Sequence, residues 1–425
     1  MADSTEGSGS KRIFLHEDWT VVVLGFLIIF LAIVGLIIPV PSFSWKNPQE
    51  LFASVFSPEN LGKVILQFAF VFSIALLSVY LINKSVKDAF RTFPLLFFLT
   101  FIALVLSGNS EVKALNLESV IFSLTIGLVV SNLFTLPDWM RQALSAELFV
   151  KIGLVLLGTG VIFSDILKAG GLGLIQALVV VLSVWYFAYW ICKKLKIDEE
   201  LTMMISSAVS ICGVSAAIAT AGAIKGDTKK LSYVISLVLI TAIPMMIFMP
   251  YIAKYFDFPE AVTGAWLGGS IDTTGAVVAS GTLVGDTALK ISTIVKFSQN
   301  VLLGIAAFAI SVYWTYSNHT NGKKEHAEKP TLALIWERFP KFVIGFVCAS
   351  LLFSFVLGPE VLAPIKDSLK SIQSLWFVLA FTSIGLETKF SDLFNESSRK
   401  PLYGFLIAQA FNILITLIVA YFLFG

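Results

Sequence analysis

The chain has 425 residues, of which 57% are hydrophobic and 14% charged, with a mean hydropathy of +0.86 and a formal net charge of +2. Soluble domains carry about 25% charged residues, so this chain lacks the polar surface that a water-soluble fold needs, and a bilayer must be its solvent. There is no dense basic stripe of the kind that binds a phosphate backbone, which excludes nucleic acid as a partner.

The first eleven residues, MADSTEGSGSK, are rich in Ser, Gly and acidic types. Residues 1–20 are therefore expected to form a disordered cytoplasmic tail, and 21–425 a transmembrane transporter domain. A helix needs about 20 apolar residues to cross the hydrocarbon core. Candidate runs fall near 21–40, 61–83, 94–109, 117–136, 147–167, 171–192, 201–224, 231–253, 260–285, 291–316, 341–358, 373–389 and 401–424. The runs beginning at 94, 260 and 373 are short or glycine-interrupted, which marks them as candidate half-helices or re-entrant segments. The expectation is an all-α polytopic membrane protein with about 11 to 13 transmembrane segments and discontinuous helices.

With a cytoplasmic N-terminus, the basic clusters at Lys84, Lys87 and Arg91, at Lys193, Lys194 and Lys196, and from Lys323 to Lys341 fall inside, as the positive-inside rule asks. The C-terminus is then outside, in a bacterial inner membrane. The hydrophilic stretch at 317–340 opens SNHTNGKKEHAEKP and reads as a solvated linker. Lys151, near the start of its segment, reads as a snorkelling side chain. Gly158–Leu167 (GTGVIFSDIL) resembles Gly385–Phe394 (GLETKFSDLF), and the two ends have opposite orientation in this topology. That pattern predicts inverted repeats.

Two segments depart from bulky Leu, Ile and Phe. In the first, Ser206–Ala223, SSAVSICGVSAAIATAGA, small residues allow close helix packing. Ser210, Cys212, Gly213 and Ser215 also mark a candidate unwound stretch whose amides and hydroxyls bind a solute. In the second, Gly264–Gly281, GAWLGGSIDTTGAVVASG, Asp272 lies in mid-segment. A carboxylate at bilayer depth is expensive, so it is expected to face a polar cavity, a partner or a permeating ion. Gly268 and Gly269 permit a helix break, and Ser270, Thr273 and Thr274 offer hydroxyls. Lys296, Gln299 and Asn300 share one helix face and form a donor-rich cationic patch. The two small-residue segments are expected to meet near the bilayer midplane, with non-helical backbone in at least one of them.

Catalytic motifs are missing: there is no GxSxG, HExxH or Walker A sequence and no histidine in an apolar run, so an enzyme is not expected and neither is a cofactor. Cys192, Cys212 and Cys348 lie far apart in sequence, without CxxC spacing, which argues against a disulfide framework or a zinc site. An ion gradient remains as the energy source.

The stretches VKIGLVLLGTGVIFSDIL (150–167), SICGVSAAIATAGAIKG (210–226), GAWLGGSIDTTGAVVASG (264–281), IVKFSQNVLLG (294–304) and LAFTSIGLETKFSDL (379–393) resemble the YeiH-like family of bacterial inner-membrane proteins labelled sulfate exporters (UPF0324). The resemblance implies an all-helical carrier with inverted repeats. The functional expectation is a secondary transporter of a small anion, sulfate or organosulfonate-like, coupled to H+ or Na+. Ser210, Cys212, Gly213, Ser215, Gly269, Ser270, Thr273, Thr274, Lys296, Gln299 and Asn300 would hold the solute, and Asp272 would carry the coupling ion. The alternative is a monovalent cation/proton antiporter in which Asp272 alone is the ion site. A receptor or scaffold fits less well, because little sequence projects from the membrane. Expected partners are the small anionic solute, H+ or Na+ and the lipid bilayer, with a homodimer as the candidate assembly.

Overall fold

The computed structural model describes residues 16–114, 119–320, 333–388 and 399–425. Among these the regular structure is helical, with a single isolated bridge between Trp45 and Asn109 in place of a sheet. The principal helices are α1 (Glu17–Ile33), α2 (Pro58–Leu81), α3 (Val86–Ser107), α4 (Ser119–Leu133), α5 (Ala146–Leu157), α6 (Phe163–Lys194), α7 (Glu199–Ser210) and α8 (Val214–Ile224). They continue as α9 (Thr228–Tyr255), α10 (Glu260–Ser270), α11 (Thr274–Val284), α12 (Asp286–Thr320), α13 (Lys341–Leu351), α14 (Pro359–Glu387) and α15 (Lys400–Phe424).

Among the described residues, eight helices are long and apolar enough to cross a membrane, namely α2, α3, α6, α9, α12, α14, α15 and α5 with its flanking turns. The shorter α1, α4 and α13 run between the same two faces, as polar contacts at their ends show. Lys151, midway along α5, binds Glu17 and Asp18 at the start of α1, and the Lys341 amide that opens α13 donates to Asp18. Ser131 near the end of α4 and Ala146 at the start of α5 bond to Gly385 and Glu387 at the end of α14. This is the N-face. At the opposite C-face, the α5–α6 turn meets the end of α13 through Phe163 N and Ser354, and Phe258 packs on Tyr421 near the end of α15.

Two of the expected spans do not cross. Helices α7 and α8 form a hairpin that enters from the N-face and returns to it. At its base the Asp227 amide donates to Glu200, and Lys230 binds Asp198 and Glu200. Helices α10 and α11 form a second hairpin that opens on the C-face, where Gly285 after α11 lies against the Glu260 carboxylate at the start of α10. Each arm has 11 or 12 residues, about 16–18 Å, which is roughly half the hydrocarbon thickness. Local sequence sets the ends. Asp198 caps α7 by accepting from the Glu200 and Leu201 amides, Asp227 caps α9 in the same way, and Lys225 closes α8 in the left-handed region. Long α9 connects the two hairpins from face to face.

The segments expected to be interrupted at 94 and 373 are continuous helices. The first begins upstream at Val86, where Ser85 caps a charged opening turn, and the second begins at Pro359 with exposed Lys366, Asp367 and Lys370 on its early turns. Their apolar cores looked short because the ends are polar. Lys151 does not snorkel: it is 9% exposed and held by Glu17, Asp18 and Glu147, with the Phe342 ring beside it.

A pseudo-twofold relation organises the helices around the hairpins. The first arms lie on outer helices, α7 on α6 and α10 on α15, while each second arm lies on the long helix that follows the other hairpin, α8 on α12 and α11 on α9. Helix α5 packs on α14, running the opposite way. The Gly158–Leu167 stretch ends α5 and opens α6; of its counterpart, 389–394 lies outside the described residues, as do 1–15 of the expected tail and 321–332 of the hydrophilic loop. Helix α14 also crosses α4 closely at Gly127 and Gly385, where a Cβ on either would sit 2.8 Å from the other's Cα.

Candidate functional site

The hairpin tips are three residues each, Ile211–Cys212–Gly213 and Ile271–Asp272–Thr273, and they meet. Gly213 has φ +63°, and a Cβ there would lie 3.0 Å from Asp272 Cβ and 2.6 Å from Val238 Cγ1. Only glycine takes that backbone without strain or overlap. Four helix termini therefore converge at mid-depth, the C-ends of α7 and α10 and the N-ends of α8 and α11.

Buried C-ends carry carbonyls without intrahelical donors, and each left unpaired costs about 1–3 kcal/mol. Here side chains from α12 and α15 pair them. Lys296 Nζ donates to Ile211 O and Ile271 O, both at 2.8 Å, and to Gln299 Oε1 at 3.0 Å. An ammonium has three protons, so the set is complete. Gln299 Nε2 donates to Gly269 O, Gln409 Nε2 to Ser270 O, and Asn412 Nδ2 to Val209 O and Ser270 O. The positive charge of Lys296 sits where two helix dipoles present their negative ends.

The N-ends are different. By position, the first-turn amides of Val214 and Ser215 in α8 and of Thr274 and Gly275 in α11 have no acceptor within their own helices. Thr273 Oγ1 takes the Ala276 amide, and Asn300 Nδ2 donates to Thr274 Oγ1 at 3.3 Å. Ser215 is exposed, and Thr273, Thr274 and Gly275 are half-buried, beside a core that is sealed: Asp272, Lys296 and Gln299 are each 1% exposed. Oriented amides at two helix N-ends form an electropositive site suited to an anion.

The sequence-predicted residues divide accordingly. Gly213, Ser215, Thr273, Thr274 and Asn300 lie at or beside the N-ends. Lys296 and Gln299 bind the C-ends: two Lys296 protons go to backbone carbonyls and the third to Gln299 Oε1, while Gln299 Nε2 donates to Gly269 O. Ser210 Oγ bonds back to Ser206 O within α7, Cys212 is buried, and Gly269 packs against Gln176 and Thr416. Asp272 does not face an open cavity. It is packed beside Gln409 in α15, with Oδ2 unpartnered, and none of the ion pairs among the described residues joins it to Lys296. Close hairpin packing has taken up the space. Sequence reading missed Gln409 and Asn412, although two carboxamides three residues apart in an apolar span were a usable signal.

The family described as Conserved hypothetical protein 698 matches residues 91–404. A UPF0324 membrane protein of Rhodopirellula baltica is 42% identical over 352 residues, covering 80% of this chain and 64% of the relative. One from Nitratidesulfovibrio vulgaris is 37% identical over 345 residues, covering 77% and 58%, and one from Nitrosomonas europaea is 26% identical over 452 residues, covering 91% of each. The chain thus spans less than two thirds of the length of the first two relatives. No solved structure matches it. Matched across most of its length, through both hairpins and the helix that carries Lys296, this chain belongs to the UPF0324 family of membrane proteins.

Proposed function

We propose that this protein is a secondary transporter of a small anion, sulfate or a sulfonate of similar shape, rather than an enzyme. The observation that carries the reading is the meeting of two oppositely inserted hairpins at mid-depth, with their negative C-ends neutralised by Lys296 and their positive N-ends beside accessible hydroxyls. Half-length helices entering from opposite faces bring one site within reach of both sides, which alternating access requires. Ser215, Thr273, Thr274 and Asn300, with the first-turn amides of α8 and α11, contact the solute. Lys296 and Gln299 act one layer behind, fixing the tips and supplying charge. Asp272 couples the movement to a cation gradient. The basic clusters near the N-face, Lys84, Lys87, Arg91, Lys193, Lys194 and Lys196, support placing that face in the cytoplasm of a bacterial inner membrane.

The test is flux in liposomes with radiolabelled sulfate, taurine and carboxylate anions, under proton or sodium gradients. Gradient-driven uptake of one of these anions is expected, and Asp272→Asn, which keeps the side-chain shape, should reduce it at least tenfold while inserting normally. Proton movement that needs only Na+ or K+, and no anion, would instead identify an antiporter.

A further inference from the structure

Around Asp272 the hydrogen-bond inventory does not close, and acceptors outnumber the single free donor, the Ser270 hydroxyl. Ser270 Oγ, Asp272 Oδ2 and Gln409 Oε1 are all buried without a hydrogen-bond partner. Their residues are 1%, 1% and 3% exposed. They are held together: Gln409 Nε2 donates to Ser270 O at 2.9 Å, its side chain reaches the Asp272 carboxylate, and Asn412 Nδ2 donates to the same Ser270 O at 3.1 Å. The nearest positive group, Lys296, has its three protons on Ile211 O, Ile271 O and Gln299 Oε1. What the cluster lacks is something that several oxygens can share.

We propose that Ser270, Asp272 and Gln409 form a binding site for a monovalent cation, with Na+ as its ligand. A proton on Asp272 offers a donor to one neighbouring oxygen, whereas a small hard cation contacts the carboxylate, the carboxamide oxygen and the hydroxyl oxygen at once. One carboxylate beside an ammonium matches a single positive charge and not a divalent ion. The site deepens the transporter reading and rests on it for its role: Lys296 and Asp272 sum to zero, so a bound Na+ leaves one positive charge that an anion at the α8 and α11 N-ends cancels. Each ligand then raises the other's affinity by the same factor. In this assignment Ser270 belongs to the cation site and not to the solute.

The test uses purified full-length protein, with the melting temperature followed against NaCl in a choline chloride background and KCl as the control. A saturable upward shift specific to Na+, without any added solute anion beyond chloride, is expected. Ser270→Ala is the diagnostic variant. Its hydroxyl makes no hydrogen bond, so stability without Na+ should hold, while the half-saturating Na+ concentration should rise about tenfold or more; Asp272→Asn should abolish the shift. A wild-type protein whose melting is indifferent to Na+, or one that responds equally to Na+ and K+, overturns the assignment. So does a Na+ response that Ser270→Ala leaves unchanged. Anion uptake driven by a proton gradient in sodium-free vesicles separates the two ideas, because it would leave the transporter reading intact while the sodium site fails.

Discussion

The two hairpins share a plan and differ in chemistry. Both have a tip of three residues beginning with isoleucine, and both isoleucine carbonyls bind the same Lys296 ammonium at 2.8 Å. After that they diverge: Cys212 and Gly213 in the first, Asp272 and Thr273 in the second. The first tip turns by backbone freedom, with Gly213 at positive φ, and brings no charge. The second turns through extended Ile271 and a side-chain cap from Thr273, and it brings the carboxylate. Pseudo-symmetry thus brings the two tips together, and its local failure puts a carboxylate at only one of them.

Breaking what the tips share should have the largest effect on stability. Lys296→Met leaves Ile211 O and Ile271 O unpaired in a buried site and should destabilise the protein by roughly 2–6 kcal/mol. Loss of monodisperse protein in detergent, or a large fall in melting temperature, would register this. A near wild-type melting temperature would mean that the lysine does not pin the tips.

Gly213→Ala tests the first tip alone. The substitution forces a Cβ against Val238 and Asp272 at a backbone angle that L-residues avoid, for a loss of about 1–3 kcal/mol. Thermal unfolding in detergent measures it. The matching change in the second tip, Thr273→Ala, removes only a capping oxygen from the Ala276 amide and should cost about 1 kcal/mol. If the order of these two were reversed, the proposed difference in how the tips turn would be wrong.

How much of this was legible beforehand follows the same division. Composition alone fixed the solvent and the helical class, and the small-residue runs around Ile211 and Asp272 marked both tips. Direction was harder to read. A hairpin of two arms of 11 or 12 residues has the same total length and hydropathy as one crossing helix, so 201–224 counted as a span. What distinguishes them is the return of Asp227 to Glu200 and of Gly285 to Glu260, contacts between hairpin ends that no local window contains. Lys296 reads from the sequence as part of a cationic, donor-rich patch, but its role does not: two of the three acceptors that saturate it are backbone carbonyls, and every residue has one. The polar partners on α15, Gln409 and Asn412, lie more than a hundred residues beyond the tips they serve.

The central claim is that both hairpin tips contribute to one anion site, and thiol protection tests it most directly. In a Cys348→Ser background, Ser215→Cys places a thiol at the N-end of α8 and Thr274→Cys places one at the N-end of α11, and each is labelled with a small thiol reagent. The transported anion should slow labelling at both positions, with the same half-protecting concentration, whereas a non-transported anion should slow neither. Protection of one hairpin without the other, or of neither by an anion that the protein demonstrably carries, would contradict the account.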